Sequence, residues 1–338
     1  MLTAVPAATP PTAYRGPARG PSARPPAPIE FVAADLTDGD IATVARGVQQ
    51  AATAIGWPLR ILDGQGTTEG QAQALQSALS AKPGGIVLGG FDAAGQAAAL
   101  RAARTQGVPV VGWHAAARPG PDQKDGLFTN VAADPAQLAR VTAGSVVADS
   151  QGSVGVVIFT DAENAFDAEV SSMLVSDIGT CRHCSVLSVV DSPIATASVL
   201  TVGAMDLLLH RFGARLRYVL AMDGGYIDGA AIALAGVGRS GEEPPFLVSV
   251  SGGDESEFAR IRTGAYQKAA VVEPLNLQGW QLIDELNRAR AGKPASDYVA
   301  PPFLVTQSDV GASTSFEPAG GYQKNFLHIW GRSGPVRP

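Results

Sequence analysis

Cys181 and Cys184 are the two cysteines of this 338-residue chain, set in "GTCRHCSV" with His183 between them. Such a pair can hold a metal, cycle as a dithiol, or close a disulfide. Structural zinc takes four nitrogen or sulfur ligands. The other histidines, His114, His210 and His328, are scattered singly and there is no second cysteine pair, so the residues do not assemble a metal site. A redox pair works at a strand end that opens a helix, where the dipole lowers the thiol pKa. This one precedes the β-branched run "SVLSVV" and sits where a helix ends. The plain reading left is a disulfide around a tight loop, worth about 2 kcal/mol for so short a ring, in an oxidising compartment.

A larger set of reactive side chains is acidic. Asp35 to Asp40 in "DLTDGD", Asp92, Asp161 and Asn164 in "TDAEN", Asp191, Asp223, Asp254 and Glu273 each follow a short apolar run. Trp113 and His114 do the same, and Phe166 and Tyr226 add rings close to these acids. Ionised carboxylates only accept hydrogen bonds, so they suit hydroxyl donors or an ammonium group, whereas an anionic ligand needs Arg or Lys. An aromatic ring can lie on a sugar's C–H face or hold a cation. Taken singly, Asp and Asn in such places are ordinary caps of helices and turns. Their recurrence at eight exits points to a binding surface.

The elements that must position these residues alternate from Ile29 onward. "IEFVAA" reads as a buried strand, followed by Ile41, Val44, Val48 and Ile55 at helical spacing. "PLRIL", a helix over 68–81, "GGIVLGG", a helix over 93–106 and "VPVVGW" continue the pattern. It restarts after a crossing near "GLFTNVAADPAQ", with a helix to 147, "SVGVVIF", a helix over 163–177 and "SVLSVV". A helix over 195–212, "LRYVLA", a helix over 227–236, "PFLVSV" and "AAVV" complete it. Continuous apolar strands between helices imply an α/β fold of two doubly wound parallel-sheet lobes. "NLQGWQLIDELNRARAGK" and "PPFLVT" are too little for a third domain and are expected to return to the two lobes. Ligands of open parallel sheets bind beyond the carboxyl ends of the strands, where the acids fall, and two facing lobes would make a cleft there.

A net charge of −6 argues against a nucleic-acid partner and leaves small molecules or proteins. Hydrophobic content of 46% supports a sizeable core. No apolar run approaches the ~20 residues of a membrane span. Residues 1–28, rich in Pro, Ala and Arg, lack the apolar region of a secretory signal and are expected to form a flexible or surface-draped arm.

These segments carry a resemblance. "GGIVLGGFDAAGQAAALRAARTQGVPVVGW", "VLAMDGGYIDGAAIALAGVG", "VSVSGGDE", "IRTGAYQKAAVVEPLNLQGWQ" and "PPFLVTQSDV" are similar, in order and spacing, to type I periplasmic binding proteins, the ribose- and galactose-binding-like family that serves ABC importers. The likeness covers roughly residues 29 to 310. It implies two lobes joined by a three-strand hinge, made of 29–131 with 274–301 and of 132–273 with 302–310. The arm of residues 1–28 would precede them, and residues 311–338 would pack on a lobe as an extension. It also implies a periplasmic protein whose signal has been removed, with no cofactor and no catalysis. Such a protein captures a sugar or polyol and delivers it to an ABC permease, touching the membrane only through that protein.

Matched position by position, the resemblance assigns ligand contact to Asp38 and Asp40, Asp92, His114, Asp223, Asp254 and Glu273. Trp113, Asp161, Asn164, Phe166 and Tyr226 join them as neighbours at the same exits. A disulfide between Cys181 and Cys184 fits an exported protein. The departures concern charge. His114 and Ala115 stand where the family has an Asp-Arg pair, 161–178 holds neither Lys nor Arg, and Met222 replaces an asparagine. The same scaffold could therefore hold a cationic or other non-sugar ligand, or serve a membrane sensor.

Two other classes lack their residues. A repressor's effector lobe needs a helix-turn-helix ahead of the first strand, which proline-rich residues 1–28 do not supply. An enzyme is disfavoured because there is no G-x-G-x-x-G at a strand-to-helix turn, no G-x-S-x-G and no P-loop.

Overall fold

The computed structural model describes residues 14–332. Along the chain these form β1 (Ile29–Ala33), α1 (Gly39–Ile55), β2 (Leu59–Asp63), α2 (Thr68–Ser80), β3 (Gly85–Gly89), α3 (Ala97–Thr105), β4 (Val110–Trp113), β5 (Gly120–Asp122) and β6 (Leu127–Val131). There follow α4 (Pro135–Asp149), β7 (Ser153–Thr160), α5 (Ala165–Gly179), β8 (His183–Asp191), α6 (Ala197–Phe212), β9 (Tyr218–Ala221) and α7 (Gly224–Gly236). β10 (Phe246–Val250), α8 (Glu255–Thr263), β11 (Gln267–Val272), α9 (Leu275–Arg290), β12 (Phe303–Thr306), α10 (Gln307–Val310) and α11 (Tyr322–Trp330) complete the chain.

Two compact units result. Of the described residues, the N-terminal lobe gathers 14–132, 274–300 and 317–332, and the C-terminal lobe gathers 133–273 and 301–316. Each is built on a six-stranded sheet, ordered β2-β1-β3-β4-β6-β5 in the first and β12-β11-β10-β9-β7-β8 in the second. Strands pair in parallel except β5 on β6 and β12 on β11. Parallel strands with helices on both faces have no wet side, which is why β1, β3 and β4 are buried along their whole length.

In the N-terminal lobe α1 and α9 touch backbone to backbone. A Cβ on Gly47 would stand 2.6 Å from the Asn276 carbonyl oxygen, and one on Gly279 2.6 Å from the Val48 nitrogen. Only glycine allows that approach. Residues 14–28 run over this lobe: the Asn287 amide holds the carbonyls of Pro21 and Ser22, Arg288 holds that of Arg19, and Tyr14 packs edge-on to Tyr298. Residues 1–13, the rest of the expected arm, lie outside the described residues. The tail divides: Phe316 packs on Phe303 in the C-terminal lobe, while α11 stacks Trp330 on Trp280 in the N-terminal one.

Five elements depart from the sequence expectation, β5 and α10 being short pieces it does not contain. Residues 127–131 are not a bare crossing but strand β6 on β4, with Thr129 and Asn130 buried among apolar neighbours. No continuous apolar run announces such a strand. α8 escapes the pattern because "ESEFARIRT" buries only Glu257, Phe258 and Ile261. α11 was expected only as packed chain, and its helix rests on Tyr322, Phe326, Leu327, Ile329 and Trp330, all buried.

Candidate functional site

In the N-terminal lobe the acids at the carboxyl ends of the strands organise backbone first. Asp38 caps α1, accepting from the Asp40 nitrogen at 2.8 Å and the Ile41 nitrogen at 3.1 Å. Asp40 lies half-buried in the first turn of α1, and Asp92 is half-buried just past β3. Trp113 ends β4 at 3% exposure, its indole nitrogen donating to the Gln278 side-chain oxygen at 2.9 Å. His114 stacks on it with ring centres 4.0 Å apart. The His114 backbone is left-handed, φ +47°, a conformation a non-glycine residue holds only where its surroundings impose it.

The C-terminal lobe repeats the arrangement. Asn164 caps α5 through the nitrogens of Phe166 and Asp167, and Asp161 accepts from the Glu163 and Ile194 nitrogens. Asp191 accepts from the Ala162 nitrogen at 2.8 Å. Asp223 caps α7 through the Gly225 nitrogen at 2.6 Å, and Asp254 caps α8 through the Glu257 nitrogen at 2.8 Å. Ser251, directly after β10, is again a left-handed non-glycine residue, φ +68°. Glu273 is completely buried after β11, one oxygen accepting from the Ala133 nitrogen at 2.7 Å.

The two aromatic expectations in this lobe need correction. Tyr226 is completely buried in the core, stacked on Phe159, with its hydroxyl donating to the Ser192 carbonyl. Burial, followed by the fields of Asp167, Asp161 and Asp223, holds that hydroxyl well above the usual tyrosine range, so it stays a neutral donor. Phe166 likewise has no exposed surface. Neither ring presents a face to solvent.

Glu257 was missed. It is 1% exposed, one turn into α8, and burial together with the neighbouring Asp254 pushes its carboxyl up to about 7. Hydrogen bonding to Ser249 and the charge of Arg260 offset part of that rise. Arg260 is committed to Asp228 at 2.7 Å and to the Gln267 oxygen at 2.8 Å. The signal was present as "DESE", an N-cap acid followed three residues later by Glu.

Cys181 and Cys184 are joined as a disulfide, Cα atoms 5.2 Å apart, at the opposite, amino edge of the C-terminal sheet. Each lobe thus concentrates capping carboxylates and left-handed non-glycine residues, Gln65 and His114 in the first and Ser251 in the second, at the carboxyl edge of its sheet, where parallel sheets take ligands.

Residues 29–294 match the family model described as periplasmic binding protein domain, and the chain belongs to that family. Among solved structures, the chain is similar to the periplasmic binding component of the arabinose ABC transporter of Shewanella sp. ANA-3, bound to L-arabinofuranose. Identity is 17%, over 85% of this chain and 94% of that one, with a TM-score of 0.73. A galactofuranose binding protein is 16% identical over 86% and 97%, with a TM-score of 0.74. An ABC transporter solute binding protein from Agrobacterium vitis, with bound allitol, is 19% identical over 85% and 98%, with a TM-score of 0.71. No curated protein sequence matches.

Proposed function

We propose that this protein is a periplasmic solute-binding protein that captures a sugar or polyol and delivers it to an ABC importer, without catalysing a reaction on it. The observation that carries the reading is the placement of Asp38, Asp223 and Asp254 as caps at the carboxyl edges of the sheets. An ionised carboxylate only accepts hydrogen bonds, so an edge lined with them suits hydroxyl donors and excludes anions. Asp92 and His114 lie at the same edge of the N-terminal lobe, whereas Glu273, fully buried and holding the Ala133 nitrogen, supports the edge of the C-terminal lobe from beneath. The solved structures with arabinofuranose, galactofuranose and allitol are proteins of this fold that take such ligands.

A cationic ligand is the second reading. Glu257 lies one turn from the Asp254 cap, and burial and then the field of Asp254 raise its carboxyl, so an ammonium group there would meet two neighbouring carboxylates. A thermal-shift screen of sugars, polyols and amines separates the two, since a ligand at 100 times its Kd stabilises by about 2.7 kcal/mol. Once a ligand is found, Asp223→Ala and Asp254→Ala should each weaken calorimetric binding by about 2 to 3 kcal/mol. The melting transition should also fall, by about 1 kcal/mol, because each residue is a helix cap. Unchanged affinity in both variants, with the melts lowered, would reduce these residues to caps.

A further inference from the structure

The large apolar side chains that reach solvent are unevenly distributed. Val175, Val189, Val199, Leu200, Leu207, Ile232 and Val237 are the exposed ones among the described residues, and all seven belong to the C-terminal lobe. Three lie on α6, where Val199 is 74% and Leu207 72% exposed. Val199, Gly203 and Leu207 recur every four residues and so share one helix face, with Leu200 beside them. The stretch Ile194–Arg215 has the length and composition of a membrane-crossing helix, although only 22% of it is buried. This corrects the sequence expectation, which passed over a run interrupted by Ser198, Asp206 and His210. Thr201, Met205 and Leu208 are built into the lobe, so the helix lies on the surface and presents its other face outward.

Cations collect at one end of this face. β8 and β9 run parallel on either side of β7, so both begin at the same sheet edge, about 10 Å apart at the usual strand spacing. Arg182 and His183, enclosed by the Cys181–Cys184 disulfide, stand where β8 begins. Arg217 stands just before β9, and α6 arrives at the same edge with His210, Arg211 and then Arg215. All six are exposed, and Arg211 and Arg215 flank the Phe212 ring at 5.1 and 6.0 Å. Three other cations of the lobe are paired, Arg239 with Glu243, Arg260 with Asp228 and Lys268 with Asp149. Among the described residues no carboxylate pairs with Arg182, Arg211, Arg215 or Arg217.

We propose that the C-terminal lobe docks on an anionic lipid bilayer through α6, its apolar face lying at the headgroup boundary and the arginines of the sheet edge contacting lipid phosphates. An apolar helix face with adjoining Arg is the pattern of an interfacial helix, and basic residues beside an anionic surface strengthen its hold. The molecule as a whole carries −6, so an anionic surface repels its other faces and selects this one. The inference is independent of which solute the protein binds.

The test is co-sedimentation of the full chain with vesicles of phosphatidylcholine alone and of equal parts phosphatidylcholine and phosphatidylglycerol. Binding is expected only to the anionic vesicles, weakening as salt is added. R211E with R215E should lower the partition coefficient at least about tenfold. V199S with L207S should lower it several-fold while leaving the melting temperature in place. Absence of binding to anionic vesicles overturns the proposal, as does binding indifferent to the arginine reversals. A vesicle-free dimer that V199S with L207S dissolves overturns it too, by assigning the face to a second copy.

Discussion

Helices α9 and α6 have equal length and opposite fates. α9 reads as polar, "LNLQGWQLIDELNRAR", yet 13 of its 16 residues are buried. α6 reads as apolar, "ASVLTVGAMDLLLHRF", yet only four of its 16 are. α9 lies in the N-terminal lobe against α1 and is covered by residues 14–28 and by α11, so many of its polar groups find their partners inside the protein. Gln278 takes the Trp113 indole, Gln281 donates to the Tyr298 carbonyl, Asp284 takes the Trp330 indole and Arg288, and Asn287 holds Arg24. α6 packs against α7, where Gly229 admits the Ser198 carbonyl, and among the described residues nothing lies over its other face. Burial of a helix is decided by what the rest of the chain lays over it, and hydropathy alone ranks these two the wrong way round.

The comparison breaks most sharply at Asp284. Asp284→Ala leaves Arg288, 8% exposed, without its counter-ion and the Trp330 indole without an acceptor. Loss of one partner of a buried pair should cost the N-terminal lobe about 3 to 5 kcal/mol in chemical denaturation. A loss under about 1 kcal/mol would mean that water replaces the network at no cost.

Glu285 gives the next effect. Burial pushes its carboxyl from 4.5 up to about 7, against the hydrogen bonds it accepts from Ser296 and the positive field of Arg288, while Asp284 adds to the rise. The folded protein therefore holds a proton that the unfolded chain has released. Stability should be undiminished below about pH 4.5, fall as pH rises to about 7 and stay flat above it, by about 3 kcal/mol in all. Glu285→Gln should remove that slope, and a variant curve parallel to that of the parent would assign it elsewhere. Glu257 adds a slope of the same sign in the C-terminal lobe.

The smallest effect lies on α6. Leu207→Ser, at 72% exposure, should shift stability by no more than about 0.5 kcal/mol. A larger loss would show that the apolar face supports the fold as it stands.

Much of the carboxyl-edge chemistry was legible as residue type but ambiguous as role. Asp38, Asn164, Asp223 and Asp254 were read as ligand contacts, and each is the N-cap of the helix that follows. Both roles ask for a short side-chain oxygen after an extended residue, so sequence cannot separate them. Tyr226 shows the same limit: its position beside Asp223 was visible, but the direction of its ring was set by the space between Phe159 and the α6 side of the core. Glu257 went unseen because α8 has too few apolar residues to be recognised, and only an unrecognised helix could place a carboxylate under Gly252.

The sequence by itself determined what periodicity and local chemistry control. Apolar runs of four to eight residues became strands, as in β1 and β7, and amphipathic spacing placed α1. A cysteine pair three residues apart at a helix end closed its own loop. These outcomes depend on neighbours within a few turns. The tertiary structure alone decided which exposed faces stay exposed and which polar groups are enclosed. Asn287 is buried because residues 21–24, more than 260 positions earlier, lie across it, and Leu207 is exposed because no distant segment among the described residues does the same. Such contacts depend on where the chain returns after several intervening strands, and no local pattern of residues carries that information.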